Sequence, residues 1–282
     1  MSKVSRRGFL KGALAMGAMP LLADTKEEKK LQTLKFIHIT DSHMDLSDSD
    51  SVDAMNLMVE FVNKNYKDLD FVMFGGDNFN NNVKGDKDAQ LFKSIINKLN
   101  APTLVVRGNK ESSAKPKGDS VNLKEFQDIF LDTKGLVING KDWRYDIKGY
   151  TILGLDSCIE DANNGVYTQE TIKFAQTALE KSKPTIILNH HPYTNYWGEK
   201  DKKAIHKYVL NNTDEVQKKI FKYDNLILTL SGHKHIDSVK EINKAKVIVT
   251  RGFIRPLDLD MYPMRYVEIT NNKINEKLIY TS

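Results

Sequence analysis

Residues 34–43 read Leu-Lys-Phe-Ile-His-Ile-Thr-Asp-Ser-His, an apolar, β-branched-rich run that ends at a carboxylate and an imidazole two positions apart. Such a run predicts a buried strand over 34–40, with Asp41 and His43 at its carboxyl end. The pattern recurs along the chain. Strands are predicted over 70–74, 103–106, 150–155, 185–188, 226–230 and 247–250. Four of them run into Gly75-Gly76-Asp77-Asn78, Gly108-Asn109-Lys110-Glu111, Asn189-His190-His191-Pro192 and Gly232-His233-Lys234-His235. Helical spacing of apolar residues falls between them, over 52–66, 86–99, 169–181 and within 202–222, and two last strands, 265–269 and 274–280, meet at Asn271-Asn272. This alternation predicts an α/β layered domain with buried central strands, a class that builds its sites at the strand ends.

Composition narrows the choice. The chain has 282 residues, 40% hydrophobic and 28% charged, with one cysteine. That balance excludes extensive disorder, a collagen-like repeat and a multi-span membrane protein. The lone Cys158 excludes an intramolecular disulfide framework or a cysteine-built zinc site. No internal repeat or boundary appears, so 34–282 reads as one domain. Basic and aromatic residues are not interleaved as in a nucleic-acid track, and no nucleic-acid partner is expected.

The net charge of +5 has a local origin. Lys3, Arg6, Arg7 and Lys11 supply four of those charges before the first acidic residue, Asp24, which leaves +1 for residues 24–282. Ser5-Arg6-Arg7-Gly8-Phe9-Leu10-Lys11, followed by a Gly/Ala-rich apolar run to Ala23, resembles a bacterial twin-arginine export signal. The resemblance implies a signal peptide over 1–23, the twin-arginine export machinery as partner, and a periplasmic or otherwise exported protein. Residues 24–33, with Lys26-Glu27-Glu28-Lys29-Lys30, read as a solvated linker. Leu21 stands where a small residue usually precedes cleavage, so a retained signal acting as a membrane tether stays open beside cleavage.

Five of the seven histidines lie in the polar stretches, together with Asp41, Asp77 and Asn109; His38 and His206 read as a core and a helix histidine. Asp, Asn and His are the ligand types for borderline divalent metals. Two adjacent dications need an anion between them, and Asp77, on a glycine-flanked turn, is the natural bridge. The ordered series Asp-x-His, Gly-Asp, Gly-Asn, His and Gly-His-x-His, from Asp41 to His235, resembles the calcineurin-like metallophosphoesterases. That resemblance implies a four-layer α/β/β/α sandwich of two mixed sheets. It also implies two divalent or trivalent ions (Mn, Fe or Zn), with Asp41, His43 and His235 on the first, Asn109, His190 and His233 on the second, and Asp77 bridging. A metal-bound hydroxide would then attack a phosphomono- or phosphodiester in line, the substrate being a small phosphate ester.

Two departures from the family pattern stand out. Lys110 occupies the place of the histidine that usually follows Gly-Asn, and we expect it to act as an electrostatic clamp on the phosphoryl oxygens, with Glu111 as a competing partner. His191 is expected beside the centre, either supporting a ligand or facing substrate. Asn80 stands where purple acid phosphatases carry a tyrosine, and Asn80-Asn81-Asn82 reads as a polar loop. Arg251 and Arg255 follow a late strand, as substrate contacts or as plain surface residues. The segments 111–148 and 201–222 lie between ligand motifs and are expected to wall the site. The rival readings are a binding or scaffold protein that keeps the fold with a non-catalytic metal site, and a protein with a single structural metal.

Overall fold

The computed structural model describes residues 31–112, 121–195, 198–201 and 204–282. The expected signal and most of the expected linker lie outside these residues. The described chain begins at Leu31, which packs against the core, and the Thr33 hydroxyl lies 3.0 Å from that of Thr270.

Two mixed sheets carry the fold. The first has the order β12-β11-β1-β2-β3, built from β1 (Leu34–Ile39), β2 (Phe71–Phe74), β3 (Thr103–Val105), β11 (Pro263–Thr270) and β12 (Lys273–Tyr280). Its β1, β2 and β3 are parallel, and β11 closes on β1 antiparallel. The second has the order β4-β5-β6-β7-β8-β10-β9. Its members are β4 (Val137–Asn139), β5 (Asp142–Ile147), β6 (Tyr150–Gly154), β7 (Thr185–Leu188), β8 (Leu226–Ser231), β9 (Ser238–Ile242) and β10 (Ala245–Val249). Within it β6, β7, β8 and β10 are parallel.

The period of two in the central strands explains the layering. Ile152, Ile186, Leu188, Leu230 and Ile248 join the core shared by both sheets, whereas Leu153, Ile187 and Val247 turn to the opposite face. A bulge at the start of the β7–β8 pairing lets the consecutive Ile227 and Leu228 both enter the shared core. Outside the first sheet lie α1 (Ser49–Asn65), α2 (Lys87–Ile96) and α4 (Leu123–Phe130); α3 (Asn109–Ser112) is a single turn after β3. Outside the second lie α5 (Gln169–Leu179) and α6 (Thr213–Ile220), whose Ile172, Leu179, Val216 and Ile220 fill the second core. The result is the four-layer α/β/β/α sandwich.

Two polar contacts tie the sheets together. Trp143 Nε1 of β5 donates to the Val105 carbonyl of β3 at 2.9 Å, and His38 Nδ1 of β1 lies 2.9 Å from Thr250 Oγ1 after β10. Burial lowers His38 to about 3, so it is a neutral core histidine. The predicted strands and helices are present with ends shifted by a few residues; within 202–222 the described residues hold a 3₁₀ turn (Ile205–Lys207) and α6. Of the two segments expected to wall the site, the described part of 111–148 supplies α4 and the strands β4 and β5, which widen the second sheet, and 201–222 reaches the site through the Lys207 carbonyl. Gly154 faces Trp143 so closely that a Cβ there would overlap the indole. Gly154→Ala should therefore destabilise the fold by about 1–3 kcal/mol, read as a lowered midpoint in thermal or urea unfolding.

Candidate metal centre

The parallel strands of both sheets end at one edge of the sandwich, and the polar motifs follow directly. Asp41 follows β1, Asp77 follows β2, Asn109 opens α3 after β3, His190 follows β7, and His233 and His235 follow β8. Backbone bonds lace these turns together: Asp41 N–H donates to the Gly76 carbonyl (3.0 Å), His43 N–H to Asp77 (2.9 Å), Gly232 N–H to His190 (3.0 Å) and Phe253 N–H to Thr40 (2.8 Å). The turns are sharp. Asp41, His43, Asp77, His233 and His235 have φ of 55°, 47°, 50°, 79° and 57°, in the left-handed region. That conformation costs on the order of 1 kcal/mol per residue, and the packed surroundings hold it. A Cβ on Gly108 would overlap Asp77 Oδ1, and one on Gly232 would overlap Asp41 Oδ2. Both motif glycines are thus required for close approach to a carboxylate.

Hydrogen bonds outside the cluster fix which ring atoms face inward. The Gly75 carbonyl can only accept, so His190 Nδ1 (2.9 Å away) carries the proton and Nε2 presents a lone pair. The Lys207 carbonyl accepts from His233 Nε2 at 3.0 Å, leaving Nδ1 unprotonated. Asn80 Oδ1, 3.0 Å from His43 Nδ1, orients that ring so that Nε2 faces inward. The Asn109 amide nitrogen donates to Asn163 Oδ1 at 3.3 Å, which turns Asn109 Oδ1 inward.

Acceptors therefore meet acceptors. Asn109 Oδ1 lies 3.1 Å from His190 Nε2 and 3.0 Å from His233 Nδ1; those two nitrogens are 3.3 Å apart, and Asp77 Oδ1 is 3.5 Å from His190 Nε2. On the other side His43 Nε2 lies 3.1 Å from His235 Nε2 and 3.7 Å from Asp77 Oδ2, and His235 Nε2 is 3.3 Å from Asp41 Oδ1. The two oxygens of Asp77 thus face different clusters. Converging lone pairs with buried carboxylates fit metal ions, and the donor set suits a borderline cation. All seven predicted ligands come together here.

A proton competes with a cation for the His190 Nε2 lone pair. Burial opposes charge on His190, yet the Asp77 carboxylate and its hydrogen bond raise the imidazole to about 9. Asp77, against its burial, is held well below the usual carboxylate range by His190 and His43. A bound cation would take over that role, and binding would release the proton.

The two residues expected to be catalytic are placed differently from one another. Lys110 donates its backbone N–H to Asp77 Oδ1 at 2.7 Å and lies at the rim, partly exposed. Glu111 is not its ion-pair partner. The Glu111 carboxylate is buried and accepts four backbone N–H groups, from Asp77 (3.0 Å), Asn78 (2.6 Å), Phe79 (3.1 Å) and Gly108 (2.6 Å). His191 is fully buried: Nε2 donates to the Asn163 carbonyl at 3.2 Å, and Nδ1 meets Ser157 Oγ at 2.7 Å. Burial and the neighbouring His190 lower it to about 3, so it remains neutral and packs behind His190 and His233. Arg251 Nε bonds the Arg255 carbonyl and braces its own loop.

Several supporting residues escape a sequence reading. Asn163 serves both Asn109 and His191, and Asn81 and Asn82 tie the loop after Asp77 to the Lys110 carbonyl (3.1 Å) and to Asp45 (2.5 Å). Glu111 matters most, because it joins the Asp77 turn to the Asn109 turn. Glu111→Gln puts an amide NH₂ against two of the four backbone donors. Mn²⁺ affinity by calorimetric titration should weaken about 10–100-fold while far-UV circular dichroism stays native. Unchanged affinity would refute this role.

Comparison with known proteins agrees with this geometry. Residues 34–237 match the family profile described as calcineurin-like phosphoesterase, and residues 3–23 match the twin-arginine translocation pathway signal sequence. A probable cyclic nucleotide phosphodiesterase of Fibrobacter succinogenes is 27% identical over 228 residues, covering 79% of this chain and 80% of the relative. A probable glycerophosphodiester phosphodiesterase, GpdQ, of Arcobacter nitrofigilis is 26% identical over 199 residues, covering 68% and 66%. Among solved structures, a dimetal phosphatase from Danio rerio shares the fold, with a TM-score of 0.60 over 88% of this chain and 99% of that one at 13% identity. The N-terminus carries a twin-arginine signal for export, and the chain belongs to the calcineurin-like phosphoesterase family of phosphoric ester hydrolases.

Proposed function

We propose that the chain is an exported, dinuclear metal-dependent phosphodiesterase working in the periplasm. The observation that carries this reading is Asp77, whose two oxygens face two separate sets of inward-turned acceptors. Asp41, His43 and His235 would hold one ion, Asn109, His190 and His233 the other, with Asp77 between them. Mn, Fe or Zn would suit these donors. Two such ions supply Lewis acidity toward the phosphoryl oxygens and a water activated at neutral pH for in-line displacement.

The protein's own residues set the rest. Asn80, Lys207, Gly75 and Asn163 keep each ligand in its donor tautomer or orientation. Lys110 stands at the rim as a cation for the phosphoryl oxygens, and the Lys234 ammonium lies over the Tyr208 ring, 4.9 Å from its centroid. Lys234 lies between His233 and His235; burial and the charge of Lys207 lower its pKa. His191, locked by Ser157 and Asn163, is not free to protonate a leaving group, and Lys110 holds the place where the family histidine would do so. Esters with good leaving groups are therefore the better substrates. The diester preference draws support from the two phosphodiesterase relatives.

The test is metal content together with a small ester panel. Wild type should carry two ions per chain and hydrolyse bis(p-nitrophenyl) phosphate, with loss on chelation and recovery with Mn²⁺. Asp77→Asn should lower kcat/KM by at least about 100-fold and reduce bound metal. Lys110→Ala should lower kcat/KM by about tenfold with metal content unchanged. One ion per chain and no ester hydrolysis would overturn the reading.

A further inference from the structure

The loop after β6, 155–168, supplies none of the candidate ligands, yet its contacts bear on the centre. Ser157 Oγ and the Asn163 carbonyl hold His191, and Asn163 Oδ1 accepts from the Asn109 amide at 3.3 Å. The loop closes at a neck, where the Val166 N–H donates to the Ser157 carbonyl (2.8 Å) and Cys158 bridges Gly165. Arg107, directly before Gly108-Asn109, grips this loop from the β3 side. Its guanidinium is buried; Nε donates to Asp156 Oδ2 at 2.7 Å and Nη1 to Glu160 Oε1 at 2.9 Å. Asp156 stands before the neck and Glu160 in the tip, so one side chain holds the loop at both ends. Asp156 is braced in turn: its N–H donates to Asp142 Oδ1 and its Oδ1 accepts from the Cys158 N–H, each at 2.8 Å. At the tip the Asp161 N–H donates to the Ser112 carbonyl at 2.9 Å, a further tie to α3.

The consequence falls on Asn109, because the two ends of a carboxamide are alike in shape and opposite in hydrogen bonding. With its oxygen inward, Asn109 meets the lone pairs of His190 Nε2 and His233 Nδ1 at 3.1 and 3.0 Å. Turned over, its NH₂ would donate to the same two nitrogens, the better arrangement until a cation arrives. Asn163 Oδ1 opposes that turn, since it can only accept. At 3.3 Å the bond has little length to spare, and a small displacement of the loop would lose it. The guanidinium serves two carboxylates at a set separation, which an ammonium on a flexible stem does not.

We propose that Arg107 is a positioning residue for the metal centre: by holding the β6 loop at both ends it keeps Asn163 where it turns the Asn109 oxygen inward. This rests on the dinuclear reading, in which Asn109 is a ligand, and adds the residue that readies that ligand before the ion binds. Arg107 touches neither ion nor substrate, and it acts through the orientation of one amide.

Calorimetric titration of the full chain with Mn²⁺ tests this in two backgrounds. Arg107→Lys keeps the charge and gives up the double grip; it should weaken one of the two ions about tenfold and leave the other unchanged. Glu160→Ala alters an exposed side chain, so the fold is preserved, and should weaken the same ion about two- to fivefold. In the Asn109→Asp background the ligand offers an oxygen whichever way it turns, so neither change should then alter affinity by more than about twofold. A residue that only stabilises the fold would weaken binding equally in both backgrounds. Equal loss in both, or no loss in either, would overturn the role of Arg107, and Glu160→Ala decides the matter alone if Arg107→Lys does not fold. A wild type that takes up no second ion would overturn the dinuclear reading and this role with it; a two-ion wild type whose affinity neither variant lowers would overturn the role alone.

Discussion

Two carboxylates, Asp41 and Asp77, are buried where the two sheets meet, and each must find positive charge to replace the water it has lost. Most of the architecture at that edge answers this demand. Parallel strands from both sheets deliver imidazoles to the carboxylates, and sharp turns bring the chain back before the side chains diverge. The motif glycines let backbone press against the carboxylate oxygens. The outer hydrogen bonds turn lone pairs inward, where a cation would stabilise them. An apolar replacement of these groups would suit the fold better than a half-satisfied cluster does; the cost is borne for the chemistry.

The support of the centre is as ordered as the ligands. Glu111 gathers four amides from two turns, so the spacing between Asp77 and Asn109 is set by a group that touches neither a predicted ion nor substrate. Asn163 contributes through both its side chain and its backbone carbonyl. The centre therefore depends on residues from the loops after β1, β2, β3, β6, β7 and β8, in both sheets, and no single segment could assemble it.

Much of this was legible in the sequence, for identifiable reasons. Central strands buried on both faces give continuous apolar runs such as 71–74 and 185–188, and each ends in a polar motif, so strand order and ligand identity could be read together. The four-layer arrangement came from the resemblance rather than from periodicity. Strands β4, β5 and β9 went unseen because they are short or half-exposed and mix charged with apolar residues, as in Asp-Trp-Arg-Tyr-Asp-Ile over Asp142–Ile147. Glu111 was weighed against its neighbour Lys110 because backbone donors leave no mark in a sequence. His190 and His191 are chemically identical side by side; only the fold shows one facing the cluster and the other held by Ser157 and Asn163.

The left-handed turns also limit how such a centre can evolve. Among residues with a Cβ, aspartate, asparagine and histidine adopt positive φ most readily, and all five candidate ligands at such positions are aspartate or histidine. The backbone thus filters the ligand alphabet before coordination chemistry acts on it. Glutamate or cysteine could bind the same ions, but at these turns each would meet a steric barrier unrelated to metal preference. Drift among Asp, Asn and His is the inexpensive path, so related sites can retune charge and affinity while the set of ligand types stays narrow.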